Sequence, residues 1–281
     1  MNWPSIRWRA VAIKDFQDAV RSKSLLIVTT LLVVFIAGAA FVFGELFDDG
    51  GSTATLGLSL AAPSAFLVPI LALLVSYRSI AGERETGSIR FVLGLPHSRA
   101  DVLVGKWLGR SAVVAVAILV GFSAGAVVAL VTYELDPVGF VGFTLLTLLL
   151  GLVYVAIGTG LSACTDSGAK AGILVLSVFV LFEYLWGLIG LLFLYVLGGF
   201  DPSFATAPGW YEWFTAISPS ASYQYAMFEL VPGGASAAMA EPGGEVAMGA
   251  LPVWVPFVVL GGWITLFLAL GYWRFERADL T

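Results

Sequence analysis

Residues 25–44 read LLIVTTLLVVFIAGAAFVFG, twenty residues without a charge. At about 1.5 Å per residue, a helix of that length matches the roughly 30 Å hydrocarbon core of a bilayer. The stretch is entered past Arg21 and Lys23 and left through Glu45, Asp48 and Asp49. Five further runs of spanning length follow, at 58–77, 111–132, 137–162, 171–197 and 252–273. Lipid offers backbone groups no partners, so such runs are helices, and the short alternating pattern of a membrane β-barrel is absent. The expected fold is all-α: a polytopic membrane protein with six transmembrane helices.

Composition agrees with that reading. Of 281 residues 59% are hydrophobic and only 12% charged, against about 25% charged in soluble chains, and the mean hydropathy is +0.94. These values exclude a nucleic-acid binder, a disulfide scaffold and a disordered tail protein. One Cys, one His and four Met provide neither a disulfide framework nor a metal-ligand cluster.

The fourteen Lys and Arg fix an expected orientation. Arg7, Arg9, Lys14, Arg21 and Lys23 precede the first run. Arg78, Arg84, Arg90, Arg99, Lys106 and Arg110 lie between the second and third. Lys170 lies between the fourth and fifth, and Arg274 and Arg277 follow the sixth. The other three connections hold acids and no base. With six spans every base falls on one side, which by the positive-inside rule makes both termini cytoplasmic. The leader, 1–24, carries Asp15 and Asp18 and precedes a run of full spanning length, so the first run is expected to be a retained helix and not a signal peptide. An outer face of acids alone, with Arg outnumbering Lys ten to four, also suggests a halophilic source.

Three segments outside the membrane stand out. In the leader, Ile6, Ile13, Phe16 and Val20 fall on one side of a helical wheel, and Arg7, Lys14, Asp18 and Arg21 on another. That amphipathicity, with Trp3 and Trp8, suits a headgroup interface. The connection 78–110 is far longer than two adjacent helices need. It holds the charged piece Glu83-Arg84-Glu85-Thr86-Gly87, a mixed piece stopped by Pro96, and then Ser98 with Asp101 at capping-box spacing. The third is the connection 198–251. Its first half is aromatic, which suggests short interfacial or re-entrant helices broken near Pro219, and its second half is rich in Gly, Ala and Pro.

Inside the membrane Glu183 sits near the middle of the fifth run. A charge there costs at least about 2.5 kcal/mol, and such residues are usually functional. No cation lies in another span to pair with it. Three states are open: a protonated acid, an acid bonded to a hydroxyl such as Tyr154, or a carboxylate facing a water-filled path, either on a transport route or at a subunit interface. Gly121 and Gly125, four apart in the third run, permit a close helix approach.

Six spans, the leader containing Lys14 to Ser22, and the motif Glu83-Arg84-Glu85-Thr86-Gly87 followed by Leu95-Pro96, Arg99 and Gly105-Lys106 resemble the ABC-2 type permease family, within it the nitrous-oxide-reductase maturation branch. The resemblance covers the whole chain, although only this loop is a specific motif. It implies a non-catalytic transmembrane subunit in the plasma membrane. Its partners would be an ATPase subunit and a second permease, as homodimer or heterodimer, with ATP and Mg bound by the ATPase and no cofactor on this chain. The leader, with Lys14, Asp18 and Arg21, would be the connecting helix. Glu83, Arg84, Glu85, Gly87, Arg90, Phe91, Leu95 and Pro96 would dock the ATPase. The chain has no phosphate-binding loop of its own. The competing class is a secondary transporter using Glu183. His97, the single His, leaves no metalloprotease motif.

Overall fold

The computed structural model describes residues 7–46, 53–89, 98–132, 136–197, 208–230 and 251–278. Every regular element among them is helical. The leader forms α1 (Arg7–Arg21), which a turn with Lys23 at φ +61° joins to the first span, α2 (Ser24–Leu46). The second span is α3 (Thr53–Ser76), followed by the short α4 (Ala81–Glu85). The remaining spans are α5 (Arg99–Thr132), α6 (Pro137–Ala163), a fifth made of α7 (Gly168–Val180), a π-helical turn (Leu181–Leu185) and α8 (Trp186–Leu197), and the last, α11 (Val255–Glu276). Between these last two lie α9 (Gly209–Ala216) and α10 (Pro219–Leu230). Six helices are therefore long and apolar enough to cross a membrane.

Helix starts follow local chemistry. Ser98 and Asp101 form the expected capping box at the head of α5: the Ser98 N–H and hydroxyl reach Asp101 Oδ2 at 2.9 and 2.7 Å, and the Asp101 N–H returns to Ser98 Oγ. The third span runs unbroken out of the membrane as one helix of 34 residues. Asp136 caps α6 by accepting from Val138 N and Gly139 N, with Pro137 at the first helical position.

The core lies between α2, α3, α5 and α6, around fully buried Leu32, Ile36, Phe122, Phe143 and Tyr154. Along α5, Gly121 and Gly125 face α2, where an added Cβ would stand 3.1 Å from Leu32 Cβ and 2.8 Å from Ile36 Cγ2. The small-residue pair thus seats the first span inside this subunit.

The leader packs on α5 too, by a different face from the one its apolar residues suggest. Ile13 and Val20 are exposed, Phe16 is half-buried against the core, Ile6 lies outside the described residues, and the buried line is Val11, Asp15 and Ala19, four apart. Gly105 and Gly109 of α5 make room: an added Cβ would meet Trp8 O at 2.7 Å and Ala12 O at 2.8 Å. Shape complementarity with α5 overrides the leader's own hydrophobic stripe, which is left for another surface.

Candidate functional site

A charged cluster sits where α1, α4 and α5 meet. Asp15, Lys106 and Arg110 come together because Lys106 and Arg110 are one turn apart on α5 and Asp15 faces them from the leader. Lys106 Nζ lies 2.7 Å from Glu83 Oε1 and 3.3 Å from Asp15 Oδ1. Arg110 Nε lies 2.7 Å from Asp15 Oδ2, and another of its nitrogens donates to Val75 O near the end of α3. Lys106 and Asp15 are only 3% and 5% exposed. Two cations against two carboxylates leave no net charge, which makes burial of the set tolerable.

The charged motif spreads in three directions. Glu83 turns inward to Lys106. Arg84 donates to Thr165 O at 2.6 Å in the turn after α6. Glu85 accepts from Gly168 N at 3.1 Å, capping α7 from 83 residues away, while Ser167 in the N-cap position makes no side-chain cap bond of its own. The head of α4 is held by Ser162 of α6, whose hydroxyl accepts from Ile80 N and Ala81 N at 3.1 and 3.0 Å. Gly87, at φ +74°, takes the left-handed conformation that suits glycine. Five residues of helix therefore bond to the ends of the spans α5, α6 and α7, and reach the leader through Lys106. Arg90, Phe91, Leu95, Pro96 and His97 lie outside the described residues.

Of the leader residues singled out in the sequence, Lys14 and Asp18 form an exposed i,i+4 ion pair at 3.2 Å, and Arg21 closes the helix at its C-terminal turn. Sequence reading passed over Asp15, Lys106, Arg110 and Ser162 as a set. The one available signal was an acid set between Val11 and Ala19 at four-residue spacing.

The second polar site is intramembrane. Glu183 occupies the π-helical turn of the fifth span. Its Oε1 accepts from the Tyr154 hydroxyl at 2.7 Å and from the Ser220 hydroxyl at 2.5 Å. Ser220 also lies 3.5 Å from Ala65 O, the carbonyl whose helical partner would be the N–H that Pro69 lacks. A π turn, a proline-interrupted ladder and the start of α10 so converge on one carboxylate, the kind of backbone irregularity that lines functional cavities in membranes. The short helices α9 and α10, divided at Ile217 and Ser218, are pinned by rings. Trp186 stacks on Phe214 at 4.8 Å and donates to its carbonyl, and Trp263 donates to Ile217 O.

Six membrane-length helices with a buried charged cluster at the base-rich end define a polytopic membrane protein. The chain matches the family model described as ABC-2 family transporter protein over residues 9–280, and it belongs to that family. At 31% identity over 280 residues, 95% of this chain and 97% of the relative, it is similar to the "Probable ABC transporter permease protein NosY" of Stutzerimonas stutzeri. At 28% over 279 residues, 96% and 98% of the two chains, it is similar to the protein of the same name from Pseudomonas aeruginosa strain PAO1. It is accordingly an ABC transporter permease, a multi-pass protein of the plasma membrane, and membership of this family implies an ATPase partner.

Proposed function

We propose that this permease exports its cargo by alternating access, driven by a separate ATPase that binds the base-rich end at the leader and at the segment from Glu83 to Pro96. Both termini and this end face the cytoplasm, where ATP is. The observation that carries the reading is the bonding of α4. One short helix is tied to α1 and α5 through Glu83 and Lys106, to α6 through Ser162, and to α7 through Glu85. Force applied there reaches three spans at once, so two docked ATPases closing on ATP would shift the spans between packed arrangements. Glu83, Arg84 and Glu85 act in this reading as positioning residues that hold the docking segment, while Arg90, Phe91, Leu95 and Pro96 meet the ATPase. Glu183 lies on the cargo path or at the interface with a second permease. The uniformly apolar and aromatic spans favour a hydrophobic or amphipathic cargo.

The test is gentle purification of the tagged chain from its own membranes, with co-eluting proteins identified by mass spectrometry. A stoichiometric partner carrying a phosphate-binding loop supports the reading. The chain alone or only self-associated, with transport that survives ATP depletion, would overturn it in favour of secondary transport through Glu183.

A further inference from the structure

Beside the docking segment, at the ends of α6, α7 and α11, lies a cavity of about 420 Å³ whose lining includes Arg84, Cys164, Asp166, Lys170, Arg274 and Arg277. Among the described residues four cations face it against one carboxylate. Asp166 is already engaged by Lys170 at 2.8 Å, and Arg84 by the carbonyl of Thr165. The carbonyls at and just past the end of α11, natural partners for Arg274 and Arg277, are instead taken by Arg99, which donates to the carbonyls of Phe275, Glu276 and Ala278. Arg274 is left with no hydrogen-bond or ion-pair partner among the described residues. Arg277 has, among the described residues, only the face of Trp273, 4.3 Å from its guanidinium carbon. A concave site whose described lining is net positive suits an anion, and arginine forks match the oxygens of a phosphate.

The level of the site says where the phosphate comes from. Tyr272 and Trp273, on the turn of α11 that carries Arg274, are 37% and 50% exposed. Exposed Tyr and Trp at the end of a membrane span sit at the headgroup layer, so the cavity opens at the depth of lipid phosphates. Basic pockets between spans at that depth are suited to anionic headgroups.

We propose that this cavity binds a phosphate group, presented by an anionic phospholipid of the surrounding leaflet, with Arg274 and Arg277 as its principal ligands. The site is separate from the Glu83–Lys106 cluster and from Glu183, and it stands whether or not the docking reading holds. A lipid clamped there would join the ends of the fifth and sixth spans, the two that α9 and α10 separate in sequence.

The experiment uses the full chain in detergent, with native mass spectrometry after incubation with phosphatidylglycerol or phosphatidylcholine, and a parallel thermal-shift series in inorganic phosphate. Phosphatidylglycerol should be retained over phosphatidylcholine, and the double variant Arg274→Gln, Arg277→Gln should retain it about thirtyfold less. Arg274→Lys with Arg277→Lys keeps the charge and should lose much less. Asp166→Asn, which removes the opposing charge, should tighten retention. Stabilisation by inorganic phosphate that is lost in the Gln variant, without lipid selectivity, would keep the phosphate site and assign its source to a soluble phosphate. Equal retention of both lipids with no phosphate effect would overturn the proposal, as would Gln variants that bind like the parent. Loss of a co-purifying protein in those variants, with lipid retention unchanged, would make the pocket a protein contact and overturn it as well.

Discussion

Lys106 and Asp15, 91 residues apart in the chain, stand 3.3 Å from each other with side chains only 3% and 5% exposed. Their meeting joins an extramembrane leader to the extension of a membrane span, and Glu83 completes the contact from the segment between them. Breaking one arm of such a set leaves a charge stranded in a poorly solvated place, and that penalty governs the first prediction.

Lys106→Met should lower stability by about 3–5 kcal/mol, because Asp15 and Glu83 lose their shared cation. The midpoint of thermal unfolding in detergent, followed by fluorescence-detected gel filtration, reads this. Adding Glu83→Gln to Lys106→Met should recover part of the loss, since the carboxylate left without a cation goes too, whereas Asp15 keeps Arg110 at 2.7 Å. A single variant that melts with the parent would remove the cluster from any account of how the leader is held.

Gly109→Val should push the leader off α5, because the space an added Cβ needs is already held by Ala12 O and Asp15 Cβ at 2.8 and 2.9 Å. Limited proteolysis within α1 should speed up while the spans stay protected. Cleavage at the parental rate would mean that the leader tolerates the intrusion by sliding.

Glu83→Ala and Arg84→Ala should both reduce ATPase co-purification and leave membrane insertion intact. Glu85→Ala should do so less, at a stability cost of about 1 kcal/mol, because it removes a single cap at the head of α7. Unchanged transport together with unchanged co-purification in the first two variants would count against docking at this segment.

Tyr154→Phe and Ser220→Ala each remove one donor to Glu183. Cargo transport should fall in both, and further in the double variant, with ATPase association retained. Transport at the parental level in the double variant would leave Glu183 a packing residue.

Cys164, the single cysteine, reports orientation. It sits in the turn between α6 and α7 at the base-rich end, and a membrane-impermeant maleimide should label it only in inside-out vesicles. Burial pushes its thiol up, an effect that Arg274 and Arg84 partly offset. The reactive thiolate is therefore scarce at neutral pH, and labelling should be slow there and accelerate as pH rises into the alkaline range. Labelling from the opposite face would invert the assigned topology.

The spans were legible because crossing a bilayer imposes a long uncharged run, a demand that each segment meets alone. Residues 25–44 lie within Ser24–Leu46, and 137–162 within Pro137–Ala163. The capping box at Ser98 and the break before Pro219 were legible for the same reason, since their partners lie within a few residues. The buried face of the leader was not. Ile13 and Val20 mark the more apolar side, yet α5 offers glycines at 105 and 109, and close backbone approach outweighs the stripe.

Local hydropathy and short-range bonding therefore settle six membrane-length helices, the gathering of the bases at one end, and the charged motif after the second span. What those charges do follows from packing between distant segments: Glu83 faces Lys106, Glu85 caps a helix 83 residues away, and Ser220 meets Glu183 where Pro69 frees a carbonyl. Pairings of that kind depend on how helices cross, and crossing is settled by packing along whole faces, which no single segment carries.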